Sequence, residues 1–264
     1  MTATSSFSTE TVPVGQTQLY VLKGGGGRPC LVLHGIEGHE GWLTFHEQLA
    51  DSATVYAPSH PGYGRTQAPE WITSVPHQAV FYHWFLQEAG LGQVDLVGVG
   101  LGGWIAAEMA IMDSSRLRHL VLVDAAGIRP ERSEILDVFI LPWRQVIERG
   151  FRHGQRSPEY ARIYENAPIQ EFGGIREAGR TMSMRMCFKP FMHDPSLPGM
   201  LAKIRVPTLV VWGENDELVP IECGELYQRA IPGATLRTIA DCGHLAHLDQ
   251  PQRLAALLHD FFSS

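Results

Sequence analysis

The stretch Val94-Asp95-Leu96-Val97-Gly98-Val99-Gly100-Leu101-Gly102-Gly103, followed by Trp104-Ile105-Ala106-Ala107-Glu108-Met109-Ala110, constrains the fold more than any other part of the chain. Its mostly apolar start reads as a short buried strand, the glycines as a sharp hinge, and the alanine-rich run as a helix. A strand and helix joined so tightly need residues without a Cβ at the points where their backbones approach. Two known turns share this spacing. One is G-x-G-x-x-G, which receives a dinucleotide phosphate at a helix N-terminus, and Gly98, Gly100 and Gly103 match it formally. The other is G-x-S-x-G, which lifts one side chain above a sheet on a strained turn. In that frame, Gly98-Val99-Gly100-Leu101-Gly102, the central position is glycine. Against the first turn, the motif lies far from a first βαβ unit, and only Asp124 supplies an acidic residue at the end of a following strand.

A chain of 264 residues, 44% of them hydrophobic, can build one α/β domain with room for an insertion. Its formal net charge of -7 argues against general nucleic-acid binding, which needs a basic surface. The four cysteines, Cys30, Cys187, Cys223 and Cys242, are scattered without a C-x-x-C pair, as expected of reduced thiols. Residues 1–10 lack the basic start and apolar core of a signal peptide. No apolar run approaches the roughly 20 residues that cross a bilayer. These features predict a cytoplasmic protein with neither a membrane nor a nucleic-acid partner.

Residues 11–22 alternate about Gly15 and predict an antiparallel hairpin, with a flexible connection at residues 24–27. No Gly-Lys-Ser/Thr follows those glycines, so they do not form a phosphate loop. Strands are expected at 30–33, 54–57, from Val94, at 120–123, 206–212 and 235–239; helices are expected at 42–51, 75–91, 221–231 and 251–262. Strands alternating with helices imply a mostly parallel sheet covered on both faces. The alternation breaks over residues 128–200, where helical stretches concentrate Arg, Met and aromatic residues. That segment is expected to be a helical lid inserted into a core made of 1–127 and 201–264.

Four motifs, in order, carry a resemblance to the α/β-hydrolase superfamily. They are His34-Gly35-Ile36 after an early strand, the turn at 98–102, Trp212-Gly213-Glu214-Asn215-Asp216, and Gly243-His244. Pro61-Gly62-Tyr63-Gly64-Arg65 also looks like the family's P-G-x-G-x-S/T stretch. The likeness runs from about residue 12 to the C-terminus, implies the α/β-hydrolase fold, and sets the dinucleotide reading aside. It further implies a triad in the order serine, acid, histidine, which falls on position 100, Asp216 and His244. In such a triad the histidine takes the serine's proton, while the carboxylate fixes the tautomer and stabilises the imidazolium. By the same resemblance the backbone N–H groups of Ile36 and Leu101 form an oxyanion hole.

Other assignments compete with these. Asp216 could merely cap a helix, His244 could be a packed loop histidine, and Asp124 is the runner-up acid. His34 is expected to shape the oxyanion loop through hydrogen bonds. Gly35 and Glu37 share that loop and are candidates to face substrate, as is His247. The spacing His244-x-x-His247 finds no convincing third ligand, so neither a metal nor a cofactor is expected.

Glycine at position 100 offers no hydroxyl, so no acyl-enzyme can form there. Three readings follow. The chain is a hydrolase silenced by a Ser→Gly change and still able to bind substrate; or His244 and Asp216 activate water directly; or the chain is a binding protein that has shed catalysis. Acid, base, oxyanion loop and tight glycines are all kept while only the nucleophile is gone, which favours the first.

The resemblance implies a carbonyl substrate: an ester or lactone, with an amide or a carbon–carbon bond beside a ketone as further options. Met182, Met184 and Met186, with Phe188 and Phe191, would suit a pliable apolar pocket, although their alternation equally suits an extended core segment. Trp143 joins them as a substrate contact. Between residues 129 and 192, eleven Arg or Lys face eight Asp or Glu. Arg144 or Arg185 is therefore a candidate to hold a substrate carboxylate, against the plainer reading of a solvated helical face. The expected partner is a small to medium, largely apolar molecule, anionic where Arg144 or Arg185 binds it. The apolar lid residues would serve a homodimer interface as well as a pocket.

Overall fold

The computed structural model describes residues 7–165 and 175–263. Residues 166–174 of the expected lid and most of the polar N-terminal stretch lie outside the described residues. Eight strands form one sheet: β1 (Phe7–Val14), β2 (Thr17–Gly25), β3 (Arg28–Leu33), β4 (Ala53–Pro58), β5 (Val94–Val99), β6 (Leu117–Val123), β7 (Thr208–Gly213) and β8 (Thr235–Ile239). Their order across the sheet is β1-β2-β4-β3-β5-β6-β7-β8. Strand β2 runs antiparallel to both β1 and β4, and every later pairing is parallel.

The hairpin closes where Val14 pairs with Thr17. It runs further than the sequence alternation suggests. Gly24 and Gly25 are strand residues of β2 rather than a flexible connection, because β4 pairs with both and β1 also pairs with Gly24. Ladder hydrogen bonds on both sides outweigh the conformational freedom that glycine gives up.

The central parallel strands are mostly apolar because both faces are covered, while the edge strand β8 exposes Thr235, Arg237 and Thr238. Leu31, Leu33, Leu96, Leu120, Leu122, Val210 and Trp212 point to one face. There they meet α2 (Val75–Glu88), α3 (Leu101–Met112) and α8 (Ile221–Ala230) through Phe81, Phe85, Ile105 and Tyr227. Val32, Val97, Val99, Val121, Val123, Leu209 and Val211 point to the other face. They meet α1 (Thr44–Ala50) and α10 (Pro251–Phe262) through Phe45, Leu49, Leu254 and Leu258. Helix α3 is buried along its whole run from Leu101 to Ala110. It therefore needs no polar face, which explains its alanine-rich composition.

Between β6 and β7 lie α4 (Trp143–Gly150), α5 (Pro158–Tyr160) continued by one π-helical turn (Ala161–Glu165), α6 (Ile175–Cys187) and α7 (Leu197–Met200). A short α9 (Ala246–Asp249) precedes α10. The methionine run lies on α6 and not on an extended segment. Residues four apart share a helix face, so Met182 and Met186 are buried together while Met184, between them, is 41% exposed. Among the described residues no helix is long and apolar enough to cross a membrane.

Candidate active site

The loops that follow β3, β5, β7 and β8 carry residues 34–38, 100, 214–216 and 244. All leave the same edge of the sheet, the carboxyl ends of parallel strands, where open α/β folds bind ligands. At the centre Gly100 caps α3 with φ +53° and ψ −115°. This left-handed conformation is strained for any residue with a side chain. The turn is pinned by its own backbone: the Gly100 amide donates to the Val123 carbonyl at 2.9 Å, and the Gly100 carbonyl accepts from Gly103 and Ala126 at 3.1 Å each. Gly98 and Gly102 are required for close approach. A Cβ on the first would stand 2.2 Å from the Gly102 carbonyl oxygen, and one on the second 2.2 Å from that of Leu33.

A Cβ on Gly100 would project to a point 3.3 Å from Nε2 of His244 and 3.6 Å from Cα of Gly35. His244 is 4% exposed, and its Nδ1 lies 2.8 Å from Oδ2 of Asp216. The other carboxylate oxygen of Asp216 accepts the amides of Leu218 and Val219 at 2.8 and 2.9 Å, which fixes the acid on its loop. Burial alone would lower the His244 pKa. The Asp216 carboxylate, helped by Asp124 and Glu37, outweighs burial and raises it to about 9.

Asp124 ends β6 with φ +46° and accepts the Gly213 amide at 2.7 Å. Its second oxygen is buried and has no hydrogen-bond partner among the described residues. Burial, reinforced by repulsion from Asp216, raises its pKa well above the usual carboxyl range. Asp216, and not Asp124, holds the imidazole.

Leu101 follows Gly100 in the turn, and Ile36 lies on the loop after β3, whose Gly35 Cα is 3.6 Å from where a Cβ on Gly100 would stand. The Leu101 amide opens α3, where helical geometry supplies no intrahelical acceptor. The loop bearing Ile36 is held by a chain of neutral imidazoles. The Tyr82 hydroxyl pairs with Nδ1 of His60, whose Nε2 lies 2.8 Å from the His34 carbonyl. The His60 amide donates to Nε2 of His34 at 3.0 Å, and Nδ1 of His34 lies 2.7 Å from the Gly35 carbonyl. Burial lowers the pKa of both rings, that of His60 to about 3. His34 thus occupies the shaping position expected of it. Its partners His60 and Tyr82 carry no sequence signal beyond a histidine in the Pro58–Arg65 loop.

Glu37 is 3% exposed and accepts the Gly35 amide at 2.7 Å. Nε2 of His247 is 3.6 Å from the same carboxylate. Burial raises the Glu37 pKa to about 7 against the lowering pull of its own amide, the Gly35 amide and His244. Burial, with the His244 charge, lowers His247 to about 3. Among the described residues no group of three or more His, Cys, Asp or Glu side chains is arranged to hold a metal ion.

The remaining expected substrate contacts divide. Trp143 is partly buried, with its indole nitrogen buried and unpaired among the described residues. Arg144 has an 83% exposed side chain committed to Glu148 at 2.8 Å, one helical turn on, so it is a surface residue. Arg185 donates to the Glu70 carbonyl. Phe188 is 47% exposed and, like Met184, faces outward because α6 buries the opposite side. A cation that reaches the loop after β3 is Arg176 of α6, which donates to Glu40 at 2.8 Å and packs over the Tyr164 ring. Sequence reasoning had no period or motif by which to find it.

The model of the alpha/beta hydrolase family matches residues 30–257. A dihydrolipoyllysine-residue acetyltransferase component of an acetoin cleaving system from Cupriavidus necator is 28% identical over 90% of this chain and 64% of that protein. The chain therefore spans less than two thirds of that relative's length. A 2-hydroxy-6-oxo-2,4-heptadienoate hydrolase from Pseudomonas putida is 27% identical over 91% of each chain. The solved structure of a bacterial membrane phospholipase A superposes with a TM-score of 0.85 at 23% identity, covering 97% of this chain and 86% of that one; at that identity the likeness is one of fold. Strand order, the glycine turn after β5 and a family match over most of the sequence agree: the chain belongs to the α/β hydrolase family.

Proposed function

We propose that the protein hydrolyses a small to medium, largely apolar carbonyl compound, with water as the attacking group in place of a serine. The convergence on Gly100 carries this reading: Nε2 of His244 stands 3.3 Å from where a side chain would begin, on an imidazole held by Asp216. The substrate carbonyl lies over Gly100 with its oxygen toward the amides of Ile36 and Leu101. Water gives up a proton to a basic side chain of the site as its oxygen bonds to the carbonyl carbon, and the π electrons move onto the carbonyl oxygen. One such donor typically contributes roughly 3–4 kcal/mol to the transition state. Collapse breaks the bond to the leaving group, which takes a proton from His244. The described helices between β6 and β7 act as the site's lid.

An ester or lactone suits this chemistry. So does a carbon–carbon bond beside a ketone, a choice supported by the Pseudomonas putida relative, whose named substrate carries both a ketone and a carboxylate. A second reading is favoured by one observation. A Cβ at Gly100 meets nothing closer than 3.3 Å, so a serine fits with a shift of a few tenths of an ångström, as expected of a serine hydrolase silenced by that one change.

Turnover of p-nitrophenyl esters and of lactones of graded length tests both. Wild-type turnover that is lost in His244→Ala supports water attack. A silent wild type that Gly100→Ser awakens, with a trapped acyl-enzyme, supports the silenced hydrolase. Ligand binding with no turnover in either form identifies a binding protein.

A further inference from the structure

The water reading leaves one question open: which group takes the proton from the attacking water. His244 is an awkward choice at neutral pH. Paired with Asp216, it holds its own proton up to about pH 9 and is better placed to donate than to accept. Two buried carboxyls lie on the adjoining loop. Glu40 is committed to Arg176 at 2.8 Å and to the Tyr164 hydroxyl at 3.4 Å. Glu37 instead turns back onto Gly35, the residue whose Cα lies 3.6 Å from the point above Gly100. A carboxylate beside an oxyanion hole opposes the negative charge of a serine-type intermediate, so nothing in serine chemistry accounts for it.

We propose that Glu37 is the general base for the attacking water and His244 the general acid for the leaving group. The inference rests on the water reading above. The water proton passes to the Glu37 carboxylate as the water oxygen bonds to the carbonyl carbon. The carbonyl electron pair moves onto its oxygen. On collapse the leaving-group bond breaks and its electrons take the Nε2 proton of His244. Proton return from Glu37 to His244 through solvent restores the site, and the sum is substrate plus water to two products. Burial sets Glu37 near 7, so the working state, Glu37 ionised and His244 protonated, exists between about pH 7 and 9. The titratable groups that act on Glu37 are His244 and His247, while Glu40, Tyr63 and Tyr164 feel its charge in turn.

Glu37→Gln keeps an acceptor for the Gly35 amide and removes the base. With p-nitrophenyl acetate, it is expected to lower kcat on the order of 10²-fold or more, the usual scale of a positioned base, while KM stays within a few-fold. The rise in rate near pH 7 should disappear. In a Gly100→Ser background the sign inverts. There His244 must be the base, and removing the Glu37 charge lowers its pKa, so the rate at pH 7 rises. Equal losses in both backgrounds, or an acid limb that survives Glu37→Gln, overturn the assignment. A silent wild type beside an active Gly100→Ser overturns the water reading itself. Infrared difference titration needs no substrate: of the carboxyl signal that titrates near pH 7, Glu37→Gln should remove one part and Glu40→Gln the other, and an unchanged signal in Glu37→Gln sinks the proposal.

Discussion

Nε2 of His244 points at Gly100, 3.3 Å from where a Cβ on that glycine would stand, and the backbone there already holds φ +53°. The turn keeps the geometry that lifts a nucleophile although it carries none. Gly100→Ser should therefore react with a fluorophosphonate probe, whereas the wild type should not. Strain at a left-handed non-glycine residue costs about 1–3 kcal/mol, so the variant should melt a few degrees lower. A variant that folds but fails to label would mean the imidazole cannot reach a hydroxyl there.

Asp216→Asn keeps an acceptor for the Leu218 and Val219 amides but loses the charge that raises His244. The imidazole pKa should fall from about 9 toward or below the ordinary value, which histidine NMR titration reads directly. Any hydrolysis should drop steeply, by roughly 10⁴-fold where the analogous change has been made in a serine triad. An unchanged imidazole titration would transfer the raising role to Asp124.

Much of this was legible before any coordinates. Apolar runs alternating with helical stretches imply the parallel sheet, and the four motifs fall on loops at one edge of it. What failed to show was whatever depends on three-dimensional packing. Met182, Met184 and Met186 read equally well as a pocket or a core until a helix separated them, two in and one out. Arg144 reads either as a substrate anchor or, more plainly, as part of a solvated face, because composition does not distinguish the two; the structure shows it exposed and paired with Glu148. His60 meets Tyr82 across 22 positions of sequence and Arg176 meets Glu40 across 136, beyond any local period.

Gly98→Ala and Gly102→Ala each drive a methyl to within 2.2 Å of a backbone carbonyl oxygen. Overpacking usually costs about 1–3 kcal/mol, and rigid backbone on both sides pushes these two to that limit or beyond. Gly92→Ala meets nothing within 4 Å and is the control. Urea denaturation should show a large loss for the first pair and a change within about 0.5 kcal/mol for the control. Equal midpoints for all three would contradict the tight turn.

Glu40 and Arg176 join the loop after β3 to α6, with side chains 8% and 17% exposed. Burial raises Glu40 to about 7 even with the guanidinium beside it, so the pair does little more than offset its own desolvation. Arg176→Met should cost on the order of 3 kcal/mol by leaving a buried carboxyl without its counterion. Glu40→Leu combined with Arg176→Met should recover most of that loss. A double variant as unstable as the single would show that α6 docks through the pair itself.

Acid should unfold the protein through its buried imidazoles. His34, His39, His46, His60 and His247 all have pKa values lowered by burial, His60 and His247 to about 3. An unfolded histidine titrates near 6.5, so below that pH the unfolded chain binds protons that the folded one refuses. Their contribution to stability is present above pH 6.5 and is lost as pH falls toward 3. Glu37 and Glu40, raised to about 7, and Asp124, also raised, act in the opposite sense. Their contribution is lost as pH rises, and it partly offsets the histidines between pH 6.5 and 4.5. His83, also lowered by burial, joins the first set and Glu108, also raised, joins the second, so six groups against four leave net proton uptake on unfolding. The melting temperature should therefore fall steadily from pH 6.5 downward, well before ordinary carboxylates titrate. His46→Gln removes one of those protons from a ring packed against Trp42 and Phe45, and it should flatten the fall. A melting temperature flat from pH 7 to 4.5 would mean that these rings are hydrated and free to ionise in place.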